Sequence, residues 1–348
     1  MSGRAAVIDL GSLAVHLHIA SPRPETARGE GVREGEGDAE APPGSPPVPF
    51  LSLHQARRIS RLAENLAPGQ DLPPDGQDRA LQILGEFRSA IERFGVAPER
   101  TRIVATEAMR GARNGPAFAR RIQVETGLPT RILSTGEEAR WTAKGALLTA
   151  RDPDGPTLIA DPGGGSLELI RVGKPEGNAE EPPLRHAGER LGVLDLLRRF
   201  PLGAPADPET LRKLEAEVEQ VLKKMFDAIG PFKEGVASVL ITGGTALNLA
   251  AIRRQMAPER APAFFQTSVS REDLETIYRR LAGADLEARS KEAFLERGRE
   301  DVIVPGLSIL MSLIRAIGLE TLTVTHMGLR EGILDALLRG RTVHGPAR

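Results

Sequence analysis

DPGGGSLELI, residues 161–170, is the stretch on which the reading of this chain turns. The apolar run GPTLIA, 155–160, leads into it, and LELIRV, 167–172, returns as a second run of strand type. Glycine loses more freedom on folding than any other residue, so three in a row between two strands need a backbone reason. One reason is a nest: successive N–H groups aimed into one concavity, with no Cβ to keep an anion away. The competing reason is a tight hairpin that requires φ > 0. No Gly-Lys-Ser/Thr follows, so this is not a Walker loop.

The same unit occurs near the N-terminus. VIDLGSLAVHL, 7–17, is again an apolar strand, an Asp, a Gly/Ser turn and a returning strand; Asp9 and Asp161 stand 152 positions apart (161 − 9). A repeat at that distance is a repeat of domains, not a solenoid period. Two α/β halves predict a ligand cleft where they meet. A third glycine turn, ITGGTALN at 241–248, lies between a strand-like run and a helical one. Helical spacing marks 76–94, 115–126, 135–150, 191–200, 207–229, 271–282, 301–318 and 329–340. Residues 21–49 are rich in Pro, Gly and Glu without apolar period, and are expected to be a disordered insertion, with 22–46 as its body.

Composition removes several classes. With 46 basic against 47 acidic residues the net charge is −1, which lacks the basic footprint of a nucleic-acid binder. Aromatics make up only 3%, too few for base-stacking platforms. The absence of cysteine excludes disulfides, thiolate nucleophiles and cysteine-held zinc. The two long apolar stretches, GVASVLITGGTALNLAAI and VIVPGLSILMSLIRAIGL, contain Gly, Pro305 and Arg315, and read as buried strand–turn–helix and core helix, not membrane spans. The N-terminal run carries no apolar region of signal-peptide length, so a cytoplasmic protein without membrane partner is expected.

DLGS, ATEAMRGARNG, STGEEAR, DPGGGSLEL, ERLGVLDLLRRF, ITGGTALNLAAI, RGREDVIVPG and HMGLREGIL together resemble, in order and spacing, the exopolyphosphatase / guanosine pentaphosphate phosphohydrolase (Ppx/GppA) family. The resemblance covers nearly the whole chain outside 21–49. It implies an α/β fold of two ribonuclease H-like domains of the actin-like, sugar kinase-like ATPase superfamily, with an interdomain cleft. The expected division is 1–140 and 141–340, the two-domain form without an extra helical domain. The implied activity is hydrolytic removal of the terminal phosphate from inorganic polyphosphate or guanosine pentaphosphate, with Mg²⁺ as cofactor and a link to the stringent response. The oligomeric state stays open, a homodimer included.

Each candidate residue has a functional and a structural reading. Gly11 and Ser12, then Gly163, Gly164, Gly165 and Ser166, are candidate phosphate-binding turns. Gly243, Gly244 and Thr245 form a third where a helix begins, since its free N–H groups and dipole favour phosphate; the alternative has Thr245 as a plain N-cap. Asp9 and Asp161 end apolar strands and are candidate Mg²⁺ ligands, or else partners of Asx-turns. By resemblance Glu168 is a second acid near the metal; otherwise it is a solvated strand residue. Arg110 resembles the family's phosphate-binding arginine, a role suited to its bidentate fork. Glu138 falls where the family has its catalytic glutamate, which would deprotonate the attacking water. Pattern alone suits a capping box instead, with Glu138 at N3 reaching back to Thr135. His16 and His18 share a strand face and read as structural.

The match breaks in places. Leu13, Ala14 and Leu167 stand where the family has polar residues, which leaves fewer side-chain contacts to phosphate. The alternative function is therefore a catalytically weak sensor of polyphosphate or a nucleotide. A third reading, a sugar or acid kinase of the same superfamily, lacks any motif for an acceptor pocket.

Overall fold

A computed structural model of the chain describes residues 3–23, 48–149, 156–173, 182–230, 236–257 and 266–341. It divides into two compact units. In the first, β1 (Ala5–Leu10) and β2 (Ala14–Pro22) form a hairpin that β3 (Phe50–Ile59) extends. Next come α1 (Pro74–Arg93), β4 (Thr101–Ala105), α2 (Glu107–Gly111), α3 (Gly115–Thr126), β5 (Thr130–Ile132) and α4 (Thr135–Leu147). The sheet order is β3-β2-β1-β4-β5, with β1, β4 and β5 parallel. β1 sits in its middle, and Ala5 to Ile8 have no solvent exposure, which explains why this strand reads as an unbroken apolar run.

The second unit repeats the plan. β6 (Thr157–Pro162), β7 (Leu167–Val172) and β8 (Leu184–Glu189) form an antiparallel meander. α5 (Val193–Arg199), α6 (Pro208–Ile229), β9 (Ser238–Ile241), α7 (Gly243–Arg254), β10 (Thr267–Ser270), α8 (Arg271–Ala282), α9 (Leu286–Ser290), α10 (Ile303–Ile317) and β11 (Thr321–Val324) follow. The order is β10-β11-β9-β6-β7-β8, with β6, β9 and β11 parallel. Meander plus two parallel strands thus matches the first sheet strand for strand, and β10 adds one antiparallel edge. α10 is buried along most of its length in this core. No described helix is long and apolar enough to cross a membrane.

The closing helix, α11 (Leu329–Leu338), returns to the first unit, which takes Met327–Arg348, while the second covers Ala150–His326. This differs from the boundary expected at 140. α4 runs unbroken through that position, so no division falls there. α11 belongs with the first unit because it packs on α4 backbone to backbone. A Cβ at Gly145 would lie 1.8 Å from the Gly328 carbonyl oxygen, and one at Gly332 would lie 2.1 Å from that of Trp141. Most of the expected insertion, 24–47, lies outside the described residues; its two ends are tied, Arg23 N–H donating to the Pro49 carbonyl at 3.3 Å.

Candidate functional site

In the second unit the glycine turn is held from behind. The Val193 and Leu194 N–H groups, at the start of α5, donate to the carbonyls of Gly163 (3.1 Å) and Gly164 (2.8 Å). Gly192 lies so close that a Cβ there would come within 2.3–2.5 Å of Gly165 and Gly164 backbone atoms. Gly163 N–H closes the turn on the Ser166 carbonyl at 2.8 Å. With the Gly163 and Gly164 carbonyls drawn back, the N–H groups of Gly164 and Gly165, on the same two peptide units, take no backbone acceptor among the described residues. None of the three has a positive φ, so the hairpin explanation of the triplet does not hold. Close backbone packing against Gly192 explains it instead.

Asp161 and Glu168 stand directly opposite each other on β6 and β7. Glu168 is 4% exposed, not the solvated strand residue of the alternative reading, and accepts from Ser166 Oγ at 2.5 Å. Asp161 reaches the start of α7: a Cβ on Gly243, which has φ +84°, would sit 2.4 Å from Asp161 Oδ1. Its carboxylate therefore occupies the positive end of that helix, where a negative charge is stabilised. Thr242, not Thr245, holds the N-cap position. Thr245 is buried, its hydroxyl filling the space over Gly306. The third expected phosphate turn thus faces an acid of the protein's own.

In the first unit Asp9, His16 and Arg57 form a row across β1, β2 and β3, each level with the next. Arg330 of α11 donates to His16 Nδ1. Burial and the two arginines hold the His16 pKa well below the usual imidazole value, so the ring is neutral and its Nδ1 accepts. His18 Nδ1 meets Glu331 Oε1 at 2.9 Å and its Nε2 meets Ser52 Oγ at 3.0 Å. Both histidines are thus engaged in holding α11 to the sheet. The Asp9 residue keeps some exposure, but its Oδ1 is sealed from solvent without a hydrogen-bond partner. Burial raises its pKa from 3.8 to about 6, with Arg330 opposing, Glu331 adding to the rise and Arg57 opposing.

That shift has a definite sign. The folded state binds the proton more tightly than the unfolded chain, so the charged Asp9 costs stability fully above about pH 6, and the cost fades towards pH 3.8. Asp9→Asn is therefore expected to be stabilising in magnesium-free buffer, by up to about 3 kcal/mol near pH 8, with the gain vanishing near about pH 4. Melting temperatures across that range check it; a gain that grows as pH falls contradicts the sign.

Glu138 and Arg110 meet. Arg110 Nη1 donates to Glu138 Oε2 and to the Leu133 carbonyl, both at 2.8 Å, and Glu138 is 8% exposed. The capping box belongs to the neighbours: Ser134 is the N-cap, and Glu137 is the N3 residue that reaches back to it. Glu138 is thus not the cap, and the Thr135–Glu138 alternative falls away. Sequence reasoning missed Glu107. It opens α2, is 7% exposed, and accepts from Ser12 Oγ at 3.4 Å. Leu13, Ala14 and Leu167 are all buried, and their apolar side chains offer no hydrogen bond to a ligand. No group of three or more His, Asp or Glu side chains suited to a metal occurs among the described residues.

Two α/β repeats, each with a Gly/Ser turn and an Asp at the end of a central strand, define a class of two-domain α/β proteins with an internal repeat. The model of the Ppx/GppA phosphatase family matches residues 43–340, and the chain belongs to that family. Exopolyphosphatase 2 of Mycobacterium tuberculosis is 26% identical over 344 residues, covering 96% of this chain and 98% of its own. An exopolyphosphatase structure from Cytophaga hutchinsonii superposes with a TM-score of 0.79 at 20% identity, covering 98% of this chain and all (100%) of its own. A Ppx/GppA structure from Aquifex aeolicus gives 0.72 at 24% identity, with 97% and 99% covered. The two mixed-sheet α/β domains implied by the sequence are the fold of these structures.

Proposed function

We propose that this protein is a Mg²⁺-dependent exopolyphosphatase-type hydrolase, removing the terminal phosphate of inorganic polyphosphate or guanosine pentaphosphate. The observation that carries the reading is the glycine turn with its carbonyls bound behind by α5 and the Gly164 and Gly165 N–H groups left for an anion. Phosphoryl transfer asks the protein mainly for positioning and charge stabilisation. The turn N–H groups hold phosphoryl oxygens. Glu138, oriented by Arg110, accepts a proton from water as the water oxygen bonds to the terminal phosphorus. The bridging P–O bond breaks, and the shortened chain leaves with the electron pair.

In the second unit Asp161 and Glu168 supply carboxylate oxygens opposite each other; in the first unit, taken by itself, Asp9 carries a buried Oδ1 without a hydrogen-bond partner. An all-oxygen donor set of one or two carboxylates, completed by substrate phosphate, fits Mg²⁺ rather than a transition metal. When bound, the ion neutralises charge developing on the phosphoryl oxygens.

Phosphate release from both substrates, with and without Mg²⁺, is the test. The expected result is magnesium-dependent release from at least one. Binding without release favours the sensor reading, which the buried Leu13, Ala14 and Leu167 support.

A further inference from the structure

We propose that Glu107 sets the phosphate affinity of the first unit's turn, by holding the Ser12 hydroxyl and placing a carboxylate beside the position of a phosphoryl oxygen. The inference rests on the phosphatase reading above. β1 and β4 run parallel with Leu10 level with Ala105, so Ser12 and Glu107, each two residues further on, leave the sheet side by side. Ser12 Oγ donates to Glu107 Oε2, and the two residues are 5% and 7% exposed. The hydroxyl thus has a protein acceptor within reach, in a long contact of 3.4 Å.

The repeat shows what this position holds in the other half. Asp9 is level with Val104, three residues before Glu107. Ala160 is level with Ile241, which sets Asp161 beside Thr242, three residues before Thr245. Glu107 is thus the counterpart of Thr245. The second half places there a hydroxyl that fills the space over Gly306, and the first a carboxylate against Ser12. A like charge built next to a binding site discriminates by repulsion, and its cost falls on anions alone. Such a residue weakens a phosphate chain without touching the chemistry of Glu138.

The test uses the full-length chain and medium-chain linear polyphosphate as the probe, with Mg²⁺ present. Glu107→Gln keeps the shape and an acceptor for Ser12 but removes the charge. It is expected to lower Kd and KM about tenfold, with kcat within about twofold. The wild-type Kd should also rise less steeply with added salt than that of the variant, because salt screens the Glu107 repulsion as well as the attraction. Ser12→Ala is expected to weaken binding about fivefold more in the Glu107→Ala background, where the hydroxyl is released, than in the wild-type background. Melting temperatures verify that each variant is folded, and Glu107→Gln alone suffices if the Ala variant is not. An unchanged or higher Kd in Glu107→Gln overturns the proposal, as does an equal Ser12→Ala effect in both backgrounds. Binding by Glu107→Gln where wild type shows none supports it. If neither form binds while both are folded, this proposal and the phosphatase reading fall together; if both bind and release phosphate equally, only this one does.

Discussion

Glu138→Gln is expected to lose turnover by about 10²–10⁴-fold while the protein's melting temperature falls by a few degrees at most and polyphosphate binds as before. The structure makes this a cleaner experiment than the sequence alone allows. The start of α4 is capped by Ser134 and Glu137, through Ser134 Oγ on the Glu137 N–H (3.3 Å) and Glu137 Oε2 on the Ser134 N–H (3.0 Å). Glu138 takes no part in that box. The substituted amide still offers an oxygen to Arg110, which stays anchored on the Leu133 carbonyl. What disappears is the charge of a pair whose arginine is partly exposed, a loss of about 1 kcal/mol or less. Glu137→Gln is the matched control. It weakens the cap and the pair with Arg131, at a cost of about 1 kcal/mol, and should leave turnover near normal. If Glu138→Gln retains more than about a tenth of wild-type kcat, Glu138 is not the base, since general-base losses are larger than that.

The central strands were legible because both faces are covered, so β1, β4, β6 and β9 read as apolar runs. β3 and β8 were not. They are sheet edges with charged and half-exposed residues along FLSLHQARRI and LRHAGE, and neither carries an apolar period. The candidate residues were legible as types, their partners were not. Ser134 and Thr135 are both good caps, and Glu137 and Glu138 are both good N3 residues, so the sequence offers two boxes one residue apart. Only the helix start chooses between them. Glu107 reads as an ordinary acid in a first helical turn; its place beside Ser12 follows from the parallel register of β1 and β4, which no local pattern encodes. The row from Asp9 through His16 to Arg57 needs two strand pairings and a helix from the far end of the chain to become visible. The glycine triplet announced itself, but its reason lies 27 residues downstream (192 − 165), in a glycine that looks ordinary in ERLGVLDLL.

That glycine gives the second large expected effect. Gly192→Ala adds one methyl group, and its Cβ would sit 2.3 Å from the Gly165 carbonyl carbon and 2.4 Å from the Gly165 nitrogen. Both are backbone atoms, so no side chain can swing aside; either the glycine turn or the start of α5 has to move. φ at residue 192 is −80°, an ordinary value for alanine, so the penalty comes from contact and not from backbone strain. Overpacking of this kind costs about 1–3 kcal/mol, which for a domain of this size lowers Tm by several degrees. The functional loss should be larger than the stability loss. Moving α5 away breaks the two bonds from Val193 and Leu194 that hold the carbonyls of Gly163 and Gly164. Once released, those peptide units are no longer fixed with their N–H groups towards the anion. A preorganised donor pair that must be reordered at each binding event loses its advantage. Polyphosphate Kd is expected to rise about tenfold or more, and kcat to fall about 10²-fold, measured well below the variant's Tm so that the folded form is assayed. Gly332→Ala serves as the comparison, because its Cβ meets the Trp141 carbonyl oxygen at 2.1 Å within the first unit and touches no backbone atom of the glycine turn. It should lower Tm similarly and leave polyphosphate affinity nearly intact. If Gly192→Ala and Gly332→Ala lose stability alike and neither changes affinity, the glycine turn is a packing device and the N–H cradle has no part in binding phosphate.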